Sequence, residues 1–405
     1  MAVATDAGRV TPGCTHSPDG SRCTACSDGV EPPPLPDALD GARLRPGIED
    51  AATGARPEVG DPLSAGPRRV ADHITDRLGL ERIEGFSLGH LFSETFRRHE
   101  EAEIDELLAV GGVHTTPPLR DVRTGWPTPW MFARMLGASL AIFATLWFAW
   151  STFRNPNLIP GLVMVGAFAV PLASVLFFFE VNAARNVSLR LVGKLIFLGG
   201  VVSVAVALVL FEATAGLIWW LGASSAGLVE EAAKLAAVLL IVRGGACARY
   251  PYILNGMLFG AAVGTGFAAF ESAGYALRVG IAGGDGAMID NIIARGMLSP
   301  LGHVVWTAIA AGALWRVKGG DGFRFEMLRD RRAYAPLALV CALHFLWNVP
   351  FEPPMHAKYL VLGAVAWIAA IALAQAGLRE LARARADAQC VGAPTDPWPP
   401  RDGVA

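Results

Sequence analysis

Charge is scarce in this chain. Only 17% of its 405 residues are Asp, Glu, Lys or Arg, against roughly 25% in an average soluble protein. Hydrophobic residues make up 53%, and almost all the long apolar runs lie between Met131 and Leu378. That distribution excludes a single large soluble enzyme. A formal net charge of −2 leaves no basic field for nucleic acid, and no phosphate-binding glycine pattern follows a strand, so nucleotide chemistry and a nucleic-acid partner are excluded as well. Six cysteines, Cys14, Cys23, Cys26, Cys247, Cys341 and Cys390, fall into one N-terminal group and three singles, which is no disulfide framework. The first thirty residues contain no apolar core of a leader, so no cleaved signal peptide is expected. Lysine is limited to four positions in a chain rich in Ala, Arg and Gly, a composition that fits a GC-rich bacterial genome.

Residues 1–70 are rich in Pro, Gly and Asp, include the run Pro32 to Pro36, and lack aromatic anchors. They cannot bury enough surface to offset their ordering entropy and are expected to be mostly disordered. Within them Cys14, His16, Cys23 and Cys26 supply the four soft ligands of a tetrahedral zinc; the alternative is a reduced, unliganded cluster. Residues 71–130 read as a cytosolic helical or membrane-surface segment. Phe86, Leu88, Leu91, Phe92 and Phe96 form an apolar patch there, followed by a charged run from Arg97 to Glu101. Trp126 and Trp130 flank Pro127 just before the first long apolar run, where interfacial aromatics would sit.

Runs long enough to cross a bilayer, about 20 residues each, occur near 131–151, 158–179, 191–211, 222–242, 253–278, 296–315, 335–350 and 358–377. The expected fold is therefore an all-α, polytopic transmembrane bundle of about eight spans over 131–378, with a tail from 379 to 405. With the N-terminus inside, cytoplasmic flanks hold Arg120, Arg123, Arg185, Arg190, Lys194, Arg243, Arg249, the arginines between Arg316 and Arg332, and Arg379, Arg383 and Arg385. The opposite side has Arg154, Arg278, Arg295 and Lys358. The positive-inside rule thus puts both termini in the cytoplasm of a multi-pass membrane protein.

Ionisable groups at membrane depth are costly and point to function. Glu230, Glu231 and Lys234 fall in the fourth run, Glu271 in the fifth, His303 in the sixth and His344 in the seventh. At 1.5 Å per residue the three glutamates and two histidines come out ~10–14 Å below the outer ends of their spans, one layer in the outward half of the bilayer. Gly256, Gly260 and Gly264 form a small-residue stripe that admits a close neighbour, and Glu271 lies only about 20° off that stripe, facing protein rather than lipid. Lys234 is one turn from both Glu230 and Glu231 and can neutralise either. His344 shares a face with Asn348, and His303 with Thr307. Each residue alone could be a neutralising pair or an interhelical hydrogen-bonder; together they suggest a site. Glu180 and Glu212 sit at span ends, and His356 in a loop, and none of the three is assigned a role.

These residues resemble the PrsW family of intramembrane proteases, itself similar to the CAAX prenyl endopeptidases. The resemblance runs from Val229 to Asn348. It rests on Glu230-Glu231-Ala-Ala-Lys234, the stretch from Gly260 through Phe267 to Glu271, Arg295, His303-Val-Val-Trp306-Thr307, and His344-Phe-Leu-Trp347-Asn348. Ser272 stands where Asn is expected after the glutamate, and Asn255 where Asp commonly precedes the glycine. The resemblance implies a protease of the bacterial cytoplasmic membrane that cuts membrane-anchored proteins such as anti-sigma factors. Glu230, Glu231, Glu271, His303 and His344 would be catalytic, with Lys234, Phe267, Arg295 and Asn348 in support.

Peptide hydrolysis needs an activated water and a partner for the developing oxyanion. A glutamate can act as base while His or Asn stabilises the oxyanion, or His and Glu can bind a zinc that activates the water. Glu231 is slightly preferred as the base, with Glu230 paired to Lys234. The rival reading is a proton- or cation-coupled transporter using the same Glu and His residues; a non-catalytic receptor or scaffold is a third. Oligomeric state is not legible in the sequence.

Overall fold

The structure is a computed structural model that describes residues 65–391, apart from positions 113, 245, 352 and 353. Cys14, His16, Cys23 and Cys26 lie outside the described residues. Every regular element among the described residues is helical. In chain order these are α1 (Ala65–Arg77), α2 (Leu88–Phe92), α3 (Glu101–Leu108), α4 (Met131–Phe153), α5 (Ile159–Val181) and α6 (Leu189–Lys194). A π-helical turn then leads into α7 (Gly200–Ala213), followed by α8 (Ala215–Leu221), α9 (Ala226–Ile241), α10 (Ala246–Arg249), α11 (Ile253–Leu298), α12 (His303–Lys318), α13 (Arg331–Asn348) and α14 (Ala357–Val391).

By length and composition, five segments among the described residues suffice to cross a membrane: Met131–Phe153, Pro156–Val181, Leu189–Ala213, Ile253–Lys318 and Ala357–Gln389. The difference from eight runs has physical causes. The stretch from 279 to 295, between the expected fifth and sixth runs, is helical, and the chain reverses at Gly284, where φ 81 and ψ 179 break the helix. Only glycine adopts that φ and ψ without strain. A Cβ on Gly280 would meet Met288, so α11 is two antiparallel arms, one on each side of Gly284. Helix α9, at 16 residues, and α13, at 18 residues, carry the polar groups that lower their apolar character.

The glycine stripe sets the core. A Cβ on Gly256 would lie 2.6 Å from the Trp315 side chain, on Gly260 2.1 Å from the Thr307 carbonyl oxygen, and on Gly264 2.6 Å from the His303 carbonyl oxygen. Any side chain at these positions would push α11 away from α12. Gly266 makes the same close approach to Ile196 and Gly200, and Gly227 to Cys341 and Phe345. These contacts lock α11 at the centre, with α7, α9, α12 and α13 arranged around the layer of charged groups.

Two carboxylates satisfy the free N–H groups of helix starts. Glu180 accepts from the backbone N–H of Trp130, Met131 and Phe132 at 2.8–2.9 Å and caps α4, consistent with a structural reading of that residue. Glu380 accepts from Ile253 N at 2.7 Å and caps α11. The 71–130 segment, expected as a helical or membrane-surface segment, is largely short helices and loops. It is three short helices and connecting chain laid across the basic ends of the bundle: Arg316 donates to the Gly79 carbonyl at 2.8 Å, Arg379 pairs with Glu81 and Glu84, and Arg185 donates to the Glu106 carbonyl at 2.6 Å. Trp126 donates to Gln375 Oε1 at 2.8 Å. Trp130, expected at an interface, is buried and stacked on His99 with ring centroids 3.6 Å apart.

Candidate functional site

Helix α9 follows the short 3-10 turn Gly222–Ser225 and places Glu230 and Glu231 in its second turn and Lys234 in its third. Adjacent residues on a helix point about 100° apart, so the two glutamates enter different surroundings. Glu231 turns inward, 4% exposed, and its Oε1 both pairs with the Lys234 ammonium and lies 2.8 Å from His344 Nδ1. The expected Glu230–Lys234 pair is thus corrected. Both carboxylates are one turn from the lysine, but Lys234, fully buried, is held over the Phe267 ring at 4.8 Å, on the side where Glu231 lies.

Glu230 faces the cavity. Its Oε2 is 3.7 Å from His344 Nε2 and has no hydrogen-bond partner. A buried carboxylate oxygen without a donor is costly unless something else satisfies it.

His303 and His344 come from the first turn of α12 and the last turns of α13 and meet with ring centroids 5.0 Å apart. Lys234 Nζ is 2.9 Å from His303 Nδ1. An ammonium can only donate, so Nδ1 accepts and the Nε2 proton of His303 points at Glu271 Oε2, 3.0 Å away. Arg295 on the returning arm of α11 reaches across the hairpin to Glu271 Oε2 at 2.7 Å and to Ser272 Oγ at 3.0 Å. The fold-back at Gly284 is what brings Arg295 opposite Glu271. Trp306 stacks on His344 with centroids 4.7 Å apart, fixing that ring from the other side. Thr307, on the His303 face by spacing, instead donates to the His303 carbonyl at 2.8 Å and lies buried beneath Gly260.

These groups border a cavity of about 470 Å³ whose lining includes Glu230, Glu271, Arg295, His303, Trp306 and His344. Gly222 and Ala223 before α9, Trp347 and Asn348 at the end of α13, and Tyr359 at the start of α14 complete its lining. Asn348 donates from there to the Ala223 carbonyl at 3.3 Å. Glu231 and Lys234 are not in the lining; they stand behind it. Tyr275 was missed in the sequence: it packs on the Arg295 guanidinium at 4.4 Å, and its position one turn after Glu271 was the available signal.

The donor set fits a metal. Glu230, His303 and His344 offer ligand atoms that all lie within 4.8 Å of one another and could hold an ion. Two histidines and a carboxylate are a known set for catalytic zinc, the unpartnered Glu230 oxygen is a free ligand, and the Glu231 contact to His344 Nδ1 is the outer-shell carboxylate that such histidines usually have.

Comparison with known proteins places the same region in a family. Residues 187–374 match the PrsW family intramembrane metalloproteases. No curated protein and no solved structure matches the chain.

Proposed function

Starting from a chain whose residues 187–374 form a PrsW family intramembrane metalloprotease domain, we propose that it hydrolyses peptide bonds of membrane-anchored proteins in the outer half of a bacterial cytoplasmic membrane, with Glu230 as the carboxylate that engages the attacking water. The observation that carries this reading is the position of Glu230: Oε2 of both glutamates is buried without a donor, but only Glu230 lines the cavity, beside His344 Nε2.

The other residues divide the work. Glu231 accepts from Lys234 and orients His344 through Nδ1, leaving Nε2 turned to the cavity. Glu271, anchored by Arg295, lies 3.0 Å from His303 Nε2 and is the carboxylate placed to take up a proton and return it as the leaving amine departs. Asn348, which also lines the cavity, is the side-chain donor available to a developing oxyanion. Glu230, His303 and His344 would hold the metal, His303 through Nε2 after giving up the proton it shares with Glu271. When bound, it would polarise the scissile carbonyl and lower the pKa of a water.

The topology fits eight crossings. The folded-back segment Ile253–Lys318 supplies two, and α9 and α13, short and polar because they carry the site, supply two more beside the remaining four apolar helices. With both termini in the cytoplasm, the side of the cavity at Asn348 and Tyr359 faces outward and the strap of residues 65–130 lies inside. Membrane-anchored substrates such as anti-sigma factors follow from the family resemblance.

The reading is tested by mapping the bond that is cut. Cells producing the chain with single-pass reporters should release fragments whose new ends, by mass spectrometry, lie in the outer half of the reporter's span. Ends clustered on the cytoplasmic side would overturn the placement.

A further inference from the structure

We propose that the segment from Leu88 to Phe96 is a membrane anchor, dipping Leu88, Phe92 and Phe96 into the leaflet at the N-terminal end of α4. Phe96 is 93% exposed, Leu88 59% and Phe92 50%, within a segment whose neighbours Thr95 and His99 are buried. A phenylalanine held almost wholly outside a fold needs an apolar surrounding that the described residues do not provide.

The placement of this segment names that surrounding. Arg134, one turn into α4, donates to the carbonyl of Thr95 at 2.8 Å and to that of Arg97. Its guanidinium also covers the Trp130 ring at 4.7 Å, on which His99 stacks. These contacts grip the backbone on both sides of Phe96 and fix it at the level where α4, a helix long and apolar enough to cross a membrane, begins. Phe92 meets Phe132 of α4 with centroids 5.7 Å apart. The exposed apolar face of α4 continues from there through Met135 and Leu140, so the patch is an extension of the lipid-facing surface of that helix. The occupant is therefore the interfacial layer of the bilayer.

Charge sorts apolar insertion from headgroup attraction. Glu94, Glu100, Glu101 and Glu103 outnumber Arg97 and Arg98 in this stretch, and Arg97 is already paired with Glu94 and Glu103. Little positive charge is left to attract anionic lipid, so insertion should depend on the rings and not on headgroup charge.

The test uses the full chain reconstituted into phosphatidylcholine vesicles, with the photoreactive analogue p-benzoylphenylalanine in place of Phe96, or of Leu140 on α4 as a lipid-facing reference. Irradiation should give phospholipid adducts at position 96 in a yield within about twofold of position 140. Adding phosphatidylglycerol or 0.5 M salt should leave that yield unchanged. Adducts at 140 with none at 96 would overturn the proposal. So would crosslinks from 96 mainly to protein, which would make the patch a protein-docking surface, or a yield that rises severalfold with phosphatidylglycerol and collapses in salt, which would make it a headgroup site.

Discussion

His344 Nδ1 lies 2.8 Å from Glu231 Oε1, and its other ring nitrogen faces Glu230 Oε2 at 3.7 Å. One imidazole thus separates two carboxylates that are adjacent in sequence and unequal in surroundings, one neutralised by Lys234 and one bordering the cavity. Glu231→Gln keeps a hydrogen-bonding group beside His344 but removes the charge opposite Lys234. It should lower the cleavage rate by about 10–100-fold, as outer-shell changes do. Initial rates with a membrane-anchored reporter check this; a loss equal to that of Glu230→Gln would make Glu231 the water-activating group.

Lys234 is fully buried and its partner Glu231 is 4% exposed. Lys234→Met should destabilise the protein by about 3–5 kcal/mol, because it strands a buried carboxylate. The double variant Lys234→Met with Glu231→Leu should recover part of that loss. Thermal unfolding in detergent measures both, and a double variant less stable than Lys234→Met would show that the pair is not the source.

Gly260→Ala places a Cβ 2.1 Å from the Thr307 carbonyl oxygen, whereas a Cβ on Gly274 meets nothing within 4 Å. Gly260→Ala should separate α11 from α12, lower the melting temperature and reduce activity through displacement of His303, one turn from Thr307. Gly274→Ala should be neutral in both respects. Similar melting temperatures for the two would contradict the close-approach account of the stripe.

The three N–H groups at the start of α4 converge on Glu180. Glu180→Ala should cost about 1–2 kcal/mol as a lost helix cap and leave the rate per folded molecule unchanged. A selective loss of rate at constant stability would give Glu180 a functional role.

Metal content separates two sites. If Glu230, His303 and His344 hold zinc, elemental analysis of the purified chain should lose one equivalent on His344→Ala. We propose that Cys14, His16, Cys23 and Cys26 bind a second, which removal of residues 1–64 should delete independently. Zinc unchanged by His344→Ala would argue for glutamate chemistry without a metal.

Much of the layer was legible in the sequence because period and depth are arithmetic. The glycine stripe of α11 and the position of Glu271 relative to it followed from 100° per residue, and the stripe indeed packs backbone to backbone on α12. The Glu231–Lys234 pairing was not legible: both glutamates lie one turn from the lysine, and the choice is made by Phe267 and His344 from other helices. The reversal at Gly284 was also hidden. One glycine among several in a run of small residues does not reveal which takes a positive φ, yet that turn sets Arg295 against Glu271. The strap of residues 65–130 is held by arginine contacts to backbone carbonyls, which leave no periodic trace in sequence.

The most direct test of the central claim is the cleavage rate of Glu230→Gln relative to the unaltered chain, at equal protein level and matched thermal stability, on the same membrane-anchored reporter. Gln keeps the size of the side chain but can neither take up a proton nor offer a carboxylate. The account predicts a fall of about two to four orders of magnitude. A rate within a few-fold of the unaltered chain would contradict it and remove Glu230 from the chemistry.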